Sequence, residues 1–266
     1  LDFSTKTTAV SGKMSLIISD FVQITGNMAI RQSAGMDVTL VGEDTAKKVN
    51  VLTIGASDVN VFAGSGPYFV DSDEDGDIDA DDKPSVDAIG LAFENVAFGL
   101  ALYSPEDEDD SSRYHTASIS ATRIGLVGIG TGSAGDSFTL GAGSYRVELN
   151  GGTDGSDTKA TPAIDYGEDA TGTHKVEIGG GKSIAFDYET RLLRVSIVDA
   201  LMKISDFIHI AGSFSFTKAE GLKVTLDDES TRNVKMNAFA GSGIEVFIGD
   251  GPYFVDSNGD KTIDST

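Results

Sequence analysis

The chain has 266 residues, 42 acidic and 20 basic, giving a formal net charge of −22. That balance argues against nucleic acid and anionic membrane surfaces as partners, because both would repel it, and no apolar run approaches the ~18 residues of a membrane-spanning helix. Cysteine is absent, which excludes disulfide scaffolds, thiolate zinc sites and a cysteine nucleophile, while 32 glycines and 39% hydrophobic residues fit a globular or solenoid chain, not a disordered one.

The sequence opens at Leu1 inside an apparent strand, without an initiator Met or a signal-peptide pattern, and reads as an interior piece of something longer. Short alternating apolar stretches follow. Val51–Ile54 and Val59–Phe62 flank a Gly55-Ala56-Ser57 break, and Ile119–Ala121 precedes Ile124–Ile129. Phe138–Leu140 and Tyr145–Leu149 flank Gly141-Ala142-Gly143-Ser144, and Val176–Ile178 and Ile184–Phe186 flank Gly179-Gly180-Gly181. Helix is a minor reading whose best stretch is Leu192–Ile204, where a strand with breaks fits almost as well. Alternation of this kind is a strand signal. Strands are expected to begin near residues 21, 38, 59, 96, 124, 145, 164, 184, 207, 224 and 244. A step of roughly 20 residues predicts an elongated parallel β-solenoid whose coils stack their inward apolar residues, with glycine at the corners. The alternative is a tandem of antiparallel β-sandwiches.

The chain repeats itself. Gly66-Pro67-Tyr68-Phe69-Val70-Asp71-Ser72 returns unchanged 185 positions later as Gly251-Pro252-Tyr253-Phe254-Val255-Asp256-Ser257. Ser19-Asp20-Phe21 returns as Ser205-Asp206-Phe207, Gly26 as Gly212, Gly35 as Gly221, and Val38-Thr39-Leu40 as Val224-Thr225-Leu226. One residue is lost between Thr45/Thr231 and Val49/Val234. Residues 1–186 therefore read as a first repeat unit that begins mid-unit, and 187–266 as a partial second one, a slice of a tandem array.

The strongest chemical signal is Asp71-Ser72-Asp73-Glu74-Asp75-Gly76-Asp77-Ile78-Asp79-Ala80-Asp81-Asp82. It has the spacing of a twelve-residue calcium loop, in which about six to eight hard oxygens gather around the ion. Asp71, Asp73 and Asp75 alternate toward one centre, Gly76 makes the sharp turn, and Asp77 offers its backbone carbonyl. Ile78 packs inward, Asp79 ligates directly or through water, and Asp82 closes the site. Eight of the twelve residues are acidic, so the loop repels itself without a cation. The second copy offers Asp256, Asn258, Asp260, Thr262 (through its carbonyl) and Asp264. Ligand positions keep an oxygen there, while the non-ligand Glu74 has become Gly259. Lys261 replaces the position-6 glycine. The loop resembles the EF-hand-like loops of dockerins and thrombospondin-type calcium repeats. Its flanks, Gly66–Val70 and Lys83-Pro84, do not suit the helices of a true EF-hand.

Other features are weaker. Glu106–Asp110 lacks the alternating pattern and reads as a solvated loop, and Asp154–Asp157 as a connector. The histidines His115, His174 and His209 form no metal or triad motif, and His209 has Gln23 as its counterpart. Gly128–Gly132 lacks the residues of a phosphate loop and reads as a corner. Tyr68 and Phe69, which recur beside the second loop, are expected to pack beneath it.

Together these residues resemble the tandem repeats of very large bacterial extracellular adhesins and surface fibres. The resemblance implies a structural, non-enzymatic role: a calcium-stiffened rod outside the cell, whose partners are neighbouring repeats of the same chain and, through lateral self-association, other rods. The alternatives are a β-helix enzyme or a binding module acting on acidic polysaccharide.

Overall fold

The computed structural model describes residues 6–18, 22–66, 68–72, 74, 85, 87–127, 138–153, 162–167, 175–204 and 207–250. Among them the chain is all-β. In chain order the strands are β1 (Thr7–Ile18), β2 (Val22–Leu40), β3 (Lys47–Ser65), β4 (Ile89–Pro105), β5 (Arg113–Ala121), β6 (Arg123–Val127), β7 (Phe138–Ala142), β8 (Ser144–Thr153), β9 (Ile164–Asp165), β10 (Lys175–Gly179), β11 (Lys182–Ala185), β12 (Arg191–Ile204), β13 (Ile208–Thr225) and β14 (Thr231–Ile248). The main sheet runs β1-β2-β3-β4-β5-β8-β12-β13-β14. β6 and β7 extend it beside the near ends of β4 and β12, so β5 with β6 and β7 with β8 act as two long strands, each broken once.

The expected parallel solenoid is corrected by this ladder: every described pairing is antiparallel. Connections as short as that from Ile18 to Val22 allow only hairpins, since a parallel crossover needs about a dozen residues or more. The expected coil of about 20 residues is likewise replaced by single strands of up to 19 residues, roughly 60 Å at ~3.3 Å per residue. The Gly55-Ala56-Ser57 break lies in mid-strand, inside β3.

Most of the long strands carry a bulge or a break, and these form a line. β2 slips register at Gly26 against β3, and β3 slips at Asp58 against β4. β4 carries Asn95 at the same height, and the gaps between β5 and β6 and between β7 and β8 fall at Thr122 and Gly143. β12 slips at Asp199, and β13 at Gly212 against Gly243 of β14. Asp58, Asn95, Asp199 and Gly243 all have φ between +51° and +58°. Aspartate, asparagine and glycine are the residues that tolerate this left-handed conformation best. Side chains on neighbouring strands satisfy backbone groups that the bulges free: Asn95 N–H donates to Asn60 Oδ1 (2.9 Å) and Asp199 N–H to Ser213 Oγ (3.1 Å). A bulge bends its strand and raises its twist, so the line creases the whole sheet.

The repeat recurs in the ladder. Every β2–β3 pair has its counterpart in β13–β14: Thr25↔Asn60 becomes Ala211↔Glu245, Asn27↔Ser57 becomes Ser213↔Ser242, and Met36↔Val49 becomes Leu222↔Val234. Met14↔Gly26 likewise becomes Ala200↔Gly212. Beyond the crease the first hairpin differs by one residue, because β12 carries a bulge at Asp199 that β1 lacks.

The larger core lies on one side of the crease. A cover made of β9, the β10–β11 hairpin and residues 186–190 packs Ile164, Tyr166, Val176, Ile178, Phe186 and Tyr188 against Val38, Leu40, Val49, Val51, Ala101, Tyr103 and Leu192. The hairpin sits so close to β3 that a Cβ on Gly55 would lie 2.2 Å from the Glu177 carbonyl oxygen. Lys182 of the hairpin binds the Asp58 carboxylate at 2.7 Å. A buried chain of hydrogen bonds, Tyr103–Tyr166–Thr116–Asn150, links the cover to the sheet, ending where Asn150 Nδ2 donates to the carbonyls of Ile164 and Thr190. Fully partnered, such a network fixes one arrangement of the core.

At the crease, a Cβ on Gly26 would lie 2.7 Å from Val59 Cγ2 and 2.8 Å from Val59 Cα, and Gly212 faces Ile244, the counterpart of Val59, in the same way. Gly26→Ala is expected to destabilise the fold by about 1–3 kcal/mol in urea unfolding, whereas Gly12→Ala, with open space around it, changes stability little.

Candidate metal centre

The acidic loop leaves the sheet after β3. Its neck is built by residues that precede and follow it. Gly66 turns the chain at φ +83°. Tyr68 and Phe69 then fold back into a second apolar cluster with Phe62, Ala88 and Ala92, with Val127 packed alongside. Tyr68 stacks on Phe62 at a ring separation of 5.2 Å and meets Phe69 edge-on at 4.8 Å. Both aromatic rings are buried, as expected from packing beneath the loop.

Gln23, buried on β2, clamps this neck. Its Oε1 accepts hydrogen bonds from the backbone N–H groups of Tyr68 (2.9 Å) and Phe69 (3.1 Å), and its Nε2 donates to the Phe69 carbonyl at 3.4 Å. On the far side of the loop, Ser85 N–H donates to the Tyr68 carbonyl at 2.9 Å. Entrance and exit are thus pinned together. The Tyr68 hydroxyl donates to Glu94 Oε1 at 2.8 Å, and Glu94 in turn pairs with Arg123 at 3.2 Å. Burial, and then the Glu94 carboxylate, push the Tyr68 hydroxyl up to about 12, so it stays protonated and donating.

Of the residues assigned to calcium, Asp71 stands on this neck, half-buried, with Glu74 exposed at φ +62°. Asp73, Asp75, Asp77, Asp79 and Asp82 lie outside the described residues, and so do Asp256, Asn258, Asp260, Thr262 and Asp264. Among the described residues no group of three or more His, Asp or Glu side chains is placed to hold a metal ion. Asp154–Asp157, Gly128–Gly132 and His174 also lie outside the described residues.

The second acidic run, Glu106–Asp110, is tied up in its own turn. Asp107 Oδ1 accepts from Asp109 N–H, Asp110 Oδ1 accepts from Ser112 N–H, and Asp110 Oδ2 pairs with Lys47 at 2.7 Å. His209 replaces Gln23 in the second copy; it is fully buried and meets Phe247, the counterpart of Phe62, at 5.7 Å. His115, on β5, is held below the usual histidine range by burial and then by Arg191.

From the sequence alone, Gln23 figures only as the counterpart of His209, and Ser85, Glu94 and Arg123 carry no assigned role. The signal available was slight: Gln23 stands with Thr25 and Asn27 on the polar phase of its alternation, which reads as solvent-facing, and its partners lie 45 and 46 positions away. No protein-family model, curated protein or solved structure matches this chain.

Gln23→Leu leaves two buried N–H groups without an acceptor and is expected to cost about 2–4 kcal/mol, while Gln32→Leu, at an exposed position, costs little; denaturant midpoints of the two variants decide this. The Lys47 hydrogen bond, followed by the Ser112 N–H, holds Asp110 down to about 2, from an ordinary 3.8. Its pKa is lowered by folding, so the pair's stabilisation is present above pH 3.8 and is lost as the pH falls through about 2. Unfolding curves of Asp110→Asn and the parent chain should converge below that pH and separate modestly above it, because the pair is partly exposed.

Proposed function

We propose that this chain is a structural repeat of a long extracellular fibre or adhesin stalk, stiffened by calcium. The observation that carries the reading is the recurrence of the β2–β3 ladder, pair for pair, in β13–β14 of the same continuous sheet. A sheet that grows by adding hairpins of one register gains length with each copy and needs no new design. Its work on this reading is reach and stiffness, with no catalytic step.

Calcium enters through Asp71, Asp73, Asp75, Asp77, Asp79 and Asp82 in the first copy, and through Asp256, Asn258, Asp260, Thr262 and Asp264 in the second. What supports a bound ion is the closed neck beneath a run of eight acidic residues in twelve. Such a run drives its own ends apart, and a divalent cation removes the repulsion. Extracellular modules work with calcium dissociation constants of about 0.1–1 mM, which fits a location outside the cell or on its surface.

Antiparallel pairing fits the alternative of tandem sandwiches at the finer level of fold. A suitable face exists for lateral association or for a second sheet. Phe98, Ile119, Val147, Val195, Phe216 and Phe239 pair in turn across six strands, forming one apolar row. Beside it run Val10, Ile30, Ile54, Leu100, Ala117, Leu149 and Leu193. An apolar sheet face of this breadth marks an interaction surface.

In saturating calcium, Asp71→Ala or Asp75→Ala is expected to lower the melting temperature by about 5–10 °C, the loss of an ion held at roughly a hundred times its dissociation constant. With chelator present, variants and parent should melt together. Identical melting of the parent with and without chelator would contradict the calcium brace.

A further inference from the structure

The two copies of the β1-β2-β3 unit differ in what lies on their outer edges. In the first copy, β3 is flanked by β4 along nearly its whole length, from Val49↔Pro105 to Ser65↔Ile89. In the second, β14 pairs with β13 on one edge, and among the described residues nothing pairs with the other. The consequence shows in exposure. Val59 is 9% exposed under β4, while its counterpart Ile244 is 54% exposed, and Val246 and Phe239 reach 60% and 83%. A long apolar edge of this kind is a template for another strand.

We propose that the outer edge of β14 is an acceptor for a strand of β4 type, in the register that β4 takes on β3. The occupant is therefore a segment with the chemistry of Ile89–Pro105, supplied by a following copy of the unit. This rests on the reading of the chain as a repeat. Retained residues support the choice. Gly64 and Gly90 pass so close that a Cβ on Gly64 would lie 2.2 Å from Ile89 O and 2.6 Å from Gly90 Cα. The second copy keeps a glycine at the matching position, Gly249. Residues that receive the cover hairpin are not kept: Gly55 becomes Ala240, and Asp58, the partner of Lys182, becomes Gly243. A glycine is thus kept on the edge side, where a Cβ on Gly249 would also meet the Phe247 ring at 2.7 Å as one on Gly64 meets Phe62, whereas the residues beneath the cover hairpin are not kept. Charge also fits. Ile89–Pro105 carries a single ionisable acid, Glu94, and so approaches an acidic protein with little repulsion.

Register is the discriminating quantity, because a slip of one residue turns every side chain to the other face. Val61↔Phe93 in the first copy predicts Val246 opposite the Phe93 position of the incoming strand. The chain has no cysteine, so a single thiol reports cleanly. The test mixes the Val246→Cys chain, under mild oxidation, with a synthetic peptide of residues 89–105 carrying Phe93→Cys. Disulfide capture should exceed that of the one-residue offset, Phe247→Cys with the same peptide, by at least about tenfold. Amide exchange along β14 should slow on adding the unmodified peptide. Equal capture at both positions, no protection of β14, or formation of a chain dimer that the peptide does not displace would each overturn the proposal. Failure of capture while calcium still raises the melting temperature would remove this inference and leave the calcium brace standing. Capture without any calcium effect would do the reverse.

Discussion

Each long strand from β2 to β14 is interrupted or gains an extra residue at one height, and these irregularities fall on a single line across the sheet. A lone bulge would twist one strand away from its neighbours and spoil the ladder. Bulges placed side by side let all the strands bend together, so pairing resumes on both sides. The left-handed positions on the line, Asp58, Asn95, Asp199 and Gly243, hold residues that accept that backbone at low cost. Where the copies differ in sequence, at Asp58 and Gly243, the conformation is the same, with φ of +54° and +58°. At that position the two copies share the conformation and not the side chain.

The crease also divides the labour of the molecule. On one side lies the large core, closed by β9 and the β10–β11 hairpin over Val38, Val49, Val51 and Tyr103. On the other lies the small cluster of Phe62, Tyr68, Phe69, Ala88 and Ala92, which exists to seat the neck of the acidic loop. Gln23 joins the two tasks. It is a ladder residue of β2, paired with Phe62, and its amide reads the backbone of the loop entrance. A charged loop is thereby anchored on a rigid frame through a neutral side chain.

Much of this was legible in the sequence, though unevenly. The two strands flanking Gly179-Gly180-Gly181 follow from alternation, whereas Leu192–Ile204 is ambiguous between helix and broken strand until its pairing with β8 and β13 is known. The duplication was visible residue by residue. Strand direction was misjudged because alternation is the same in parallel and antiparallel sheets; only connection length separates them, and the three residues between Ile18 and Val22 carried that signal. Gly55-Ala56-Ser57 was misjudged for a different reason. A corner and a mid-strand close approach both call for small residues, and only the position of Glu177 above Gly55 tells them apart. The neck of the acidic loop was out of reach, since Gln23, Glu94 and Arg123 meet only once register is known. Asp71 is the assigned ligand that the described residues include, so the loop's chemistry still rests on spacing.

The fold and its repeat depend on one antiparallel ladder, creased at the same place in both copies. Nuclear Overhauser contacts between backbone protons across the strands test this most directly. They should connect Thr25 with Asn60 and Ala211 with Glu245 on one side of the crease, and Asn27 with Ser57 and Ser213 with Ser242 on the other. Contacts that continue through Gly26 and Gly212 without the slip, or that follow a parallel stagger, would contradict it.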